Sequence, residues 1–446
     1  MSLDPGIAGE IVARALRNGA DHAEVFYKSY RNTSVEIRDQ AVESLSSSFS
    51  SGYSVRVIRK NRLGFSFSTD IGKAGEAIKR ALEASESVDG DPSLAMAPAS
   101  PSSEVRIFDD AIRDMNEDDA IRMAMQIEKA AYDADSRITR VRKPAASFTV
   151  SETVIANSCG VAARYEATSC SAQITAVAES AAESQTGWDY MGSRFLNDIS
   201  FEQVGRTAAE SAVRLLGSRN IGGRKTDVIL DSAVSNDFLG VFASSFSSDA
   251  VQKGKSLLAD RLHTRIISPL INITDSGLLP AGLGSKPLDD EGFPTQATSL
   301  VKEGVLRSFL FNAYTANKGK AASTGNAVRG GFSSLPGVGV TNLFIEPSDV
   351  SSCIPRDRLF STLRNGLYIV DAMGVHTANP ISGDFSIGVT GLWIENGEVA
   401  FPVKEAVISG NLLDFFSKVS ALADDLRFYG TVGSPSLIIS DIDVSA

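Results

Sequence analysis

The stretch TDVILDSAVSNDFLGVFASSFSSDAVQKGKS, from Thr226 to Ser256, decides the fold of the C-terminal half of this chain. It opens with an uninterrupted apolar run, Val228 to Leu230, which is typical of a buried strand. Apolar residues then recur at helical spacing, at Val234, Phe238, Val241, Phe242 and Phe246. The other side of the same helix is polar and rich in serine. The stretch therefore predicts a strand that runs directly into a helix lying on a hydrophobic core.

Length and composition narrow the class of protein. The chain has 446 residues and a formal net charge of −11, from 43 basic and 54 acidic residues. A chain of this length exceeds one ordinary core, so two or three domains are expected. Nucleic-acid binding needs a cationic face, which this acidic composition disfavours. No run approaches the ~20 apolar residues of a membrane span, and no signal peptide is recognisable. With only three cysteines, we expect a cytoplasmic protein with reduced thiols.

The N-terminal half contains two units with the same order of elements. Residues 1–87 have the pattern of a helix, alternating strands and a second helix, and residues 104–222 repeat that order. Between them, residues 88–103 are rich in Pro, Ser and Ala, which is typical of a linker. Residues 223–446 are short strand-like runs separated by turn residues. We predict an α+β protein, with a two-part N-terminal region of helices and antiparallel strands and a large C-terminal antiparallel sheet domain.

Two kinds of pattern place elements within the C-terminal domain. Glu303-Gly304 and Asn396-Gly397 predict hairpin turns, because glycine and asparagine accept the positive φ that tight turns require. The segment from Leu412 to Asp425 carries apolar residues at helical spacing. It therefore predicts one more amphipathic helix near the end of the chain.

Four loops of the C-terminal domain combine glycine with polar side chains. They are KPLDDEG at 286–292, STGNAVR at 323–329, PGVGVTN at 336–342 and SGDFS at 382–386. With the stretch from Asp227 to Ser256 and the sequence WIENGE from Trp393 to Glu398, they resemble the TldD/PmbA family. SGDFS followed by IENGE is similar to the PmbA (TldE) branch of that family. The other branch carries a metal motif, His-Glu-x-x-x-His, on the helix of the opening stretch.

The chain lacks the His-Glu-x-x-x-His motif. When the family's Lys-Gly-x-Ser is aligned with Lys253 to Ser256, the two ligand positions fall near Leu239 and Ser244, and the glutamate position near Gly240. None of these three side chains supplies a zinc ligand or a general base. The resemblance therefore implies no catalytic residue and no metal in this chain, with zinc expected in a TldD-type partner.

The resemblance also implies a function. In the family, a metal-bearing TldD-type subunit and a PmbA-type subunit form a peptidase that acts on unfolded peptides, including antibiotic precursors and antitoxins. We expect this chain to be the non-catalytic subunit, which completes the substrate cavity and binds extended peptide. The family's association with DNA gyrase then implies an indirect effect, through degradation of a regulator. The alternative is a homodimeric peptide-binding or scaffold protein without protease activity.

The candidate residues for contact with peptide or partner lie in or near these loops. They are Asn326, Arg329, His376, Asp384, Phe385 and Ser386. Of the three histidines, His376, which lies near the Gly383-Asp384 loop, is the candidate for lining a functional cleft. Asp289 to Glu291 suit either a cation site or carboxylates that are solvated or cap backbone amides. Cys353 is expected to be a structural thiol rather than a metal ligand.

Overall fold

The N-terminal half of the molecule is organised around a single six-stranded antiparallel sheet. The computed structural model describes residues 3–180 and 183–445. The strands of this sheet are β1 (His22–Arg38), β2 (Ala41–Arg59), β3 (Arg62–Ser68), β4 (Ile138–Asn157), β5 (Ala162–Glu179) and β6 (Ser184–Ser193). They lie in the order β3-β2-β1-β4-β5-β6. Because β1 pairs with β4, strands from the two repeated units of the sequence form one continuous sheet.

Helices pack on this sheet and bury its apolar face. They are α1 (Pro5–Arg17), α2 (Ala74–Glu86), α3 (Asp110–Arg113), α4 (Glu117–Ala134) and α5 (Phe201–Val213). α1 and α4 begin at side chains that cap their first turn: Asp4 accepts from the Gly6 amide, and Asn116 accepts from the Asp119 amide. No helix in the described ranges is long and apolar enough to cross a bilayer.

The C-terminal half contains two further six-stranded sheets and a small two-stranded one. Its strands are β7 (Arg224–Leu230), β8 (Ile271–Ser276), β9 (Ala297–Lys302), β10 (Val305–Leu306), β11 (Ala327–Val328), β12 (Gly337–Val338), β13 (Leu343–Pro347), β14 (Asn365–Met373), β15 (Asp384–Glu395), β16 (Glu398–Asn411), β17 (Val419–Leu422), β18 (Arg427–Tyr429), β19 (Val432–Ser434) and β20 (Leu437–Ser445). Its helices are α6 (Ser232–Ala243), α7 (Ser248–Gln252), α8 (Ala313–Gly319) and α9 (Leu412–Ser417).

The two large C-terminal sheets share one hydrophobic core. One sheet has the order β16-β15-β14-β7-β20-β17 and the other β10-β9-β8-β13-β19-β18, while β11 pairs with β12. Only β14–β7 and β13–β19 are parallel among the pairings of the described strands. Residues of α6 are buried in the core that both sheets line. The predicted α+β architecture, with antiparallel sheets dominating the C-terminal region, is confirmed.

The predicted helix from Leu412 to Asp425 is wrong in its second half. α9 ends at Ser417, and Val419 to Leu422 form strand β17, which pairs with β20. Phe415 and Phe416 are buried in the C-terminal core, so the first turns are helical as expected. Beyond Ser417, the backbone N–H and C=O groups form hydrogen bonds with β20 instead of bonds within a helix, which the apolar spacing alone could not predict.

Candidate functional site

Two positions of the family's metal motif, Leu239 and Gly240, lie on α6, and the third, Ser244, caps the C-terminal end of this helix, which is fixed by aromatic packing. β7 passes directly into this helix, and the Asp231 carboxylate accepts a hydrogen bond from the Ala233 amide at its start. The Phe238 ring lies 5.2 Å from the ring of Phe385 and 5.0 Å from that of Phe415, measured between centroids. Phe238, in the middle of the helix, therefore packs against β15 and α9.

An open pocket of about 490 Å³ lies along the exposed side of α6. We call it the motif pocket. It is lined by Asp237, Gly240, Val241, Ser244, Ala372, Gly374, Val375, His376, Ala378 and Pro380. Two of the three motif positions, Gly240 and Ser244, therefore face this pocket together with His376. The third, Leu239, is completely buried in the hydrophobic core instead.

The motif pocket is lined mainly by small apolar residues, with Asp237, Ser244 and His376 as its polar side chains, and does not fit a zinc ion. Desolvation and repulsion from Asp371 raise the pKa of the Asp237 carboxyl to about 6. His376 lies on a short 3₁₀ turn that follows Gly374, whose φ is 81°. Zinc sites use three or four His, Cys or carboxylate ligands, and the described residues contain no group of three such side chains placed to hold a metal. The pocket can offer hydrogen bonds and a carboxyl that titrates near pH 6.

Asp384, Phe385 and Ser386 begin strand β15, next to α6. Asn411, the cross-strand partner of Asp384, donates from Nδ2 to Asp384 Oδ1 at 3.0 Å. That bond, with a further one from Ser382, lowers the pKa of Asp384. Side chains alternate along a strand, so Asp384 and Ser386 are exposed while Phe385 is buried against Phe238. The two exposed side chains are therefore available to a ligand or partner, and Phe385 supports the helix.

Asn326 and Arg329 lie elsewhere, Asn326 inside the C-terminal domain and Arg329 between that domain and the N-terminal sheet. Asn326 Nδ2 donates to Asp275 Oδ2 at 2.6 Å and is buried. The Arg329 guanidinium pairs with Glu24 of β1 and lies 4.6 Å from the centroid of the Phe26 ring. Its side chain has no exposed surface. The Arg329 contacts join the two halves of the molecule, whereas the Asn326 bond lies within the C-terminal domain.

The acidic loop Asp289 to Glu291 belongs to the same interface, and its carboxylates are used internally. Asp289 Oδ1 accepts from the Glu291 and Phe293 amides, and its Oδ2 accepts from the Ala327 amide. Burial and the neighbouring Glu291 raise the pKa of Asp289 well above its usual range. Of the alternatives left open by the sequence, the structure shows carboxylates that cap backbone amides.

Several charged residues of this interface were missed by the sequence analysis. Arg56 on β2 pairs with Glu24 and Glu291, both at 2.7 Å. Lys28 on β1 and Arg194 after β6 line a pocket between the two halves. The sequence from His22 to Tyr30 does contain a signal for this interface. Side chains alternate between the two faces of a strand, so Glu24 and Lys28 lie on the same face. Two charged residues on one face of a mostly apolar strand indicate that this face contacts a polar surface, while the other face packs on the hydrophobic core.

Family comparisons cover most of the chain. Residues 23–88 match domain 1, residues 110–216 the central domain and residues 223–446 the C-terminal domain of the PmbA/TldA metallopeptidases. A metalloprotease PmbA homologue of Buchnera aphidicola (subsp. Acyrthosiphon pisum) is 28% identical over 429 residues, which cover 95% of this chain and 92% of the relative. The metalloprotease PmbA of Escherichia coli O157:H7 is 27% identical over 449 residues, covering 98% and 96% of the two chains.

Solved structures show the same fold. A Thermotoga maritima protein described as a candidate modulator of a DNA gyrase superimposes with a TM-score of 0.91 at 25% identity, covering 99% of both chains. TldE from Thermococcus kodakarensis superimposes with a TM-score of 0.88, covering 99% of this chain and 100% of that one. At 19% identity, the second similarity concerns the fold alone.

Proposed function

The chain belongs to the PmbA/TldD family of metallopeptidases, in its PmbA (TldE) branch, and from this membership we propose that it is the non-catalytic subunit of a TldD-type zinc peptidase. In this proposal the metal and the general base come from a TldD-type partner in the cytoplasm. This chain contributes one wall of the cavity that receives unfolded peptides.

The main support for this proposal is the identity and burial of the side chains at the three motif positions. Leu239, at the first ligand position, is buried in the aromatic core around Phe238 and Phe242. Gly240 and Ser244, at the other two, offer no imidazole and no carboxylate. A histidine at position 239 would place a polar ring in an apolar core, where an unpaired polar group is costly. The family's metal chemistry is therefore blocked by packing as well as by the identity of the side chains.

Two surfaces support the binding of extended peptide. The first is the motif pocket, with Asp237 and His376 at its wall. The second is the edge of β2 from Ala41 to Gly52, which pairs with β1 on one side, whereas β3 covers only the part from Tyr53 onward. Phe49 on this edge is 64% exposed. An unpaired strand edge binds extended peptides of varied sequence through main-chain hydrogen bonds.

The test is to measure zinc content and peptide cleavage for this chain alone, for a TldD-type partner alone and for their mixture. We expect stoichiometric zinc and chelator-sensitive cleavage with the mixture, and neither with this chain by itself. Zinc and cleavage by this chain alone would refute the proposal. A stable homodimer that ignores the partner but still binds peptide would instead favour the alternative of a homodimeric peptide-binding protein.

A variant tests the β2 edge without disturbing the core. Phe49→Lys adds a charge to an exposed side chain of this edge, so peptide affinity or partner affinity should fall. Val399→Lys on β16 is the matched control, because Val399 is also exposed but lies on a sheet of the C-terminal domain. Equal behaviour of the two variants in a binding titration would exclude the β2 edge as the contact surface.

A further inference from the structure

A second pocket, of about 400 Å³, lies between the N-terminal sheet and the C-terminal domain. We call it the interdomain pocket. The sheet contributes a row of side chains that crosses three strands, because Lys28 on β1 is opposite Thr153 on β4, and Thr153 is opposite Tyr165 on β5. Phe26 lies two residues before Lys28, on the same face of β1. Arg194, Lys286 and Asp290 line the pocket from its other sides.

Two of the positive charges of this pocket have a carboxylate partner. Lys286 Nζ lies 2.8 Å from Asp290 Oδ1, and both side chains are largely buried. Arg329, which also lines the pocket, pairs with Glu24. These two cations are therefore neutralised within the protein.

The other two cations, Lys28 and Arg194, have no such partner. Neither forms an ion pair with a carboxylate of the described residues, 3–180 and 183–445. Lys28 Nζ donates to the hydroxyl oxygen of Thr153 at 2.8 Å. The Arg194 guanidinium donates to backbone carbonyls, including those of Thr168 at 3.1 Å and Gly282 at 3.3 Å. The pocket thus has an excess of two positive charges, in a chain whose net charge is −11.

This excess is unfavourable when the pocket holds no anion. Burial lowers the pKa of Lys28 to about 8, and repulsion from Lys286 and Arg194 adds to the effect although Asp290 opposes it. Burial also lowers the pKa of Arg194 to about 10. Buried charges are ordinarily paired, because desolvation penalises the charged form. An anion in the pocket would supply the missing pairing.

We propose that the interdomain pocket binds the carboxylate of a ligand, with Lys28 as the direct hydrogen-bond donor and Arg194 as the second positive charge. An ammonium carries three N–H donors, and Thr153 occupies one of them, so two remain for carboxylate oxygens. Phe26 and Tyr165 provide an aromatic wall for the rest of the ligand. The volume is that of a small-molecule site rather than a polymer groove. The ligand is a small organic acid or the C-terminal end of a peptide, and the proposal does not depend on the subunit role.

Four probes identify the chemistry that binds. They are N-acetylphenylalanine, its carboxamide, a tripeptide that ends in phenylalanine with a free carboxylate, and the amide of the same tripeptide. A charge-assisted hydrogen bond contributes about 1.5–3 kcal/mol, so titration calorimetry should show the acids binding about tenfold tighter than the amides, or more. Binding of the small acid alone identifies a free organic acid as the ligand class, and binding of both acids identifies a peptide terminus. If neither acid binds, or if the acids and their amides bind with equal affinity, the proposal is overturned.

Variants of Lys28 test whether the acids bind in the interdomain pocket. Lys28→Met keeps the length of the side chain and removes its charge, so it should reduce the affinity for the acids to that for the amides. Lys28→Arg should retain the preference for acids. Lys79→Met on α2 is the control, because Lys79 is 76% exposed and far from the pocket in the fold. Lys28→Met also removes an unpaired buried charge, so the ligand-free variant should unfold at no lower temperature than the parent protein. Undiminished acid binding by Lys28→Met would exclude the site.

The pH dependence of the affinity for the acids distinguishes a charged Lys28 that binds ligand from a Lys28 that only packs in the fold. Lys28 is faced by Asp290, Lys286, Arg194 and the Tyr165 phenol, whose own pKa is raised by burial. Because Lys28 loses its proton near pH 8, the affinity for the acids should fall between about pH 7 and about pH 9. In Lys28→Arg the affinity should stay constant over the same range, and a parallel fall in both proteins would contradict the assignment.

Discussion

Replacing Arg56 with methionine removes the central cation of the interface between the N-terminal sheet and the C-terminal domain. Its guanidinium donates to Glu24 at 2.7 and 3.1 Å and to Glu291 at 2.7 Å. The side chains of Arg56, Glu24 and Glu291 are 7%, 1% and 0% exposed. Glu24 keeps its pair with Arg329, so the penalty falls on Glu291, which loses its cation while remaining buried. Removing one partner of a buried ion pair costs about 3–5 kcal/mol, and we expect a loss of unfolding free energy in that range.

Urea denaturation followed by the fluorescence of Trp188 measures this loss. Trp188 lies on β6, and its ring centroid is 5.5 Å from that of Tyr429 in the C-terminal domain, so its emission reports on the same interface. A Trp393→Phe background leaves Trp188 as the only tryptophan. The control is Arg59→Met on the same strand, because Arg59 pairs with Glu86 at an exposed position. Exposed pairs contribute about 0.2–1 kcal/mol, so the control should change stability little.

A double-mutant cycle separates the ion pair from the packing. Arg56→Met together with Glu291→Gln should cost less than the sum of the two single changes, because glutamine leaves no unpaired charge in the buried site. If Arg56→Met costs no more than Arg59→Met, or if the two changes are additive, the interface is not held by this pair and the reasoning is refuted.

Three further predictions follow from local geometry. Gly205→Ala should lower the unfolding temperature, because its added methyl would lie 2.0 Å from a carbonyl oxygen of α4, whereas Gly240→Ala, with no atom within 4 Å of the new methyl, should raise stability by about 0.5–1 kcal/mol. Asp371→Asn should lower the pKa of Asp237, as measured by NMR titration, because Asp371 helps to raise that pKa to about 6. Since the folded protein favours the protonated Asp237 carboxyl, the parent protein should lose stability relative to Asp237→Asn as pH rises from about 4 to about 6. Cys170, whose thiol pKa is raised to about 12 by burial, should resist iodoacetamide in the native protein and react after unfolding, as mass spectrometry would show.

Local patterns were enough to predict the strand and helix at the centre of the C-terminal domain. The apolar run from Val228 to Leu230 and the spacing around Phe238 report which faces are buried, and this information is contained in neighbouring residues. The turns at Glu303-Gly304 and Asn396-Gly397 are confirmed as hairpin tips, with positive φ at all four residues. The missing metal motif is likewise a property of the sequence alone. The fold class followed from these signals, and the family from the resemblance carried by the four glycine-containing loops and the stretch from Asp227 to Ser256.

Only the tertiary structure decided how distant segments meet. The sequence predicted alternating strands within residues 1–87 but not their pairing, and in the structure the long strand β1 joins the two N-terminal units by pairing with β4. The Arg56–Glu291 pair connects residues 235 positions apart, and Lys28 of β1 and Arg194, which follows β6, meet at one pocket. Periodicity states which face of an element is buried but not which partner covers it. Strand pairing and the burial of charged side chains depend on that partner. Local sequence therefore predicted most elements of this protein, and only the folded chain brought its charged interface and both pockets together.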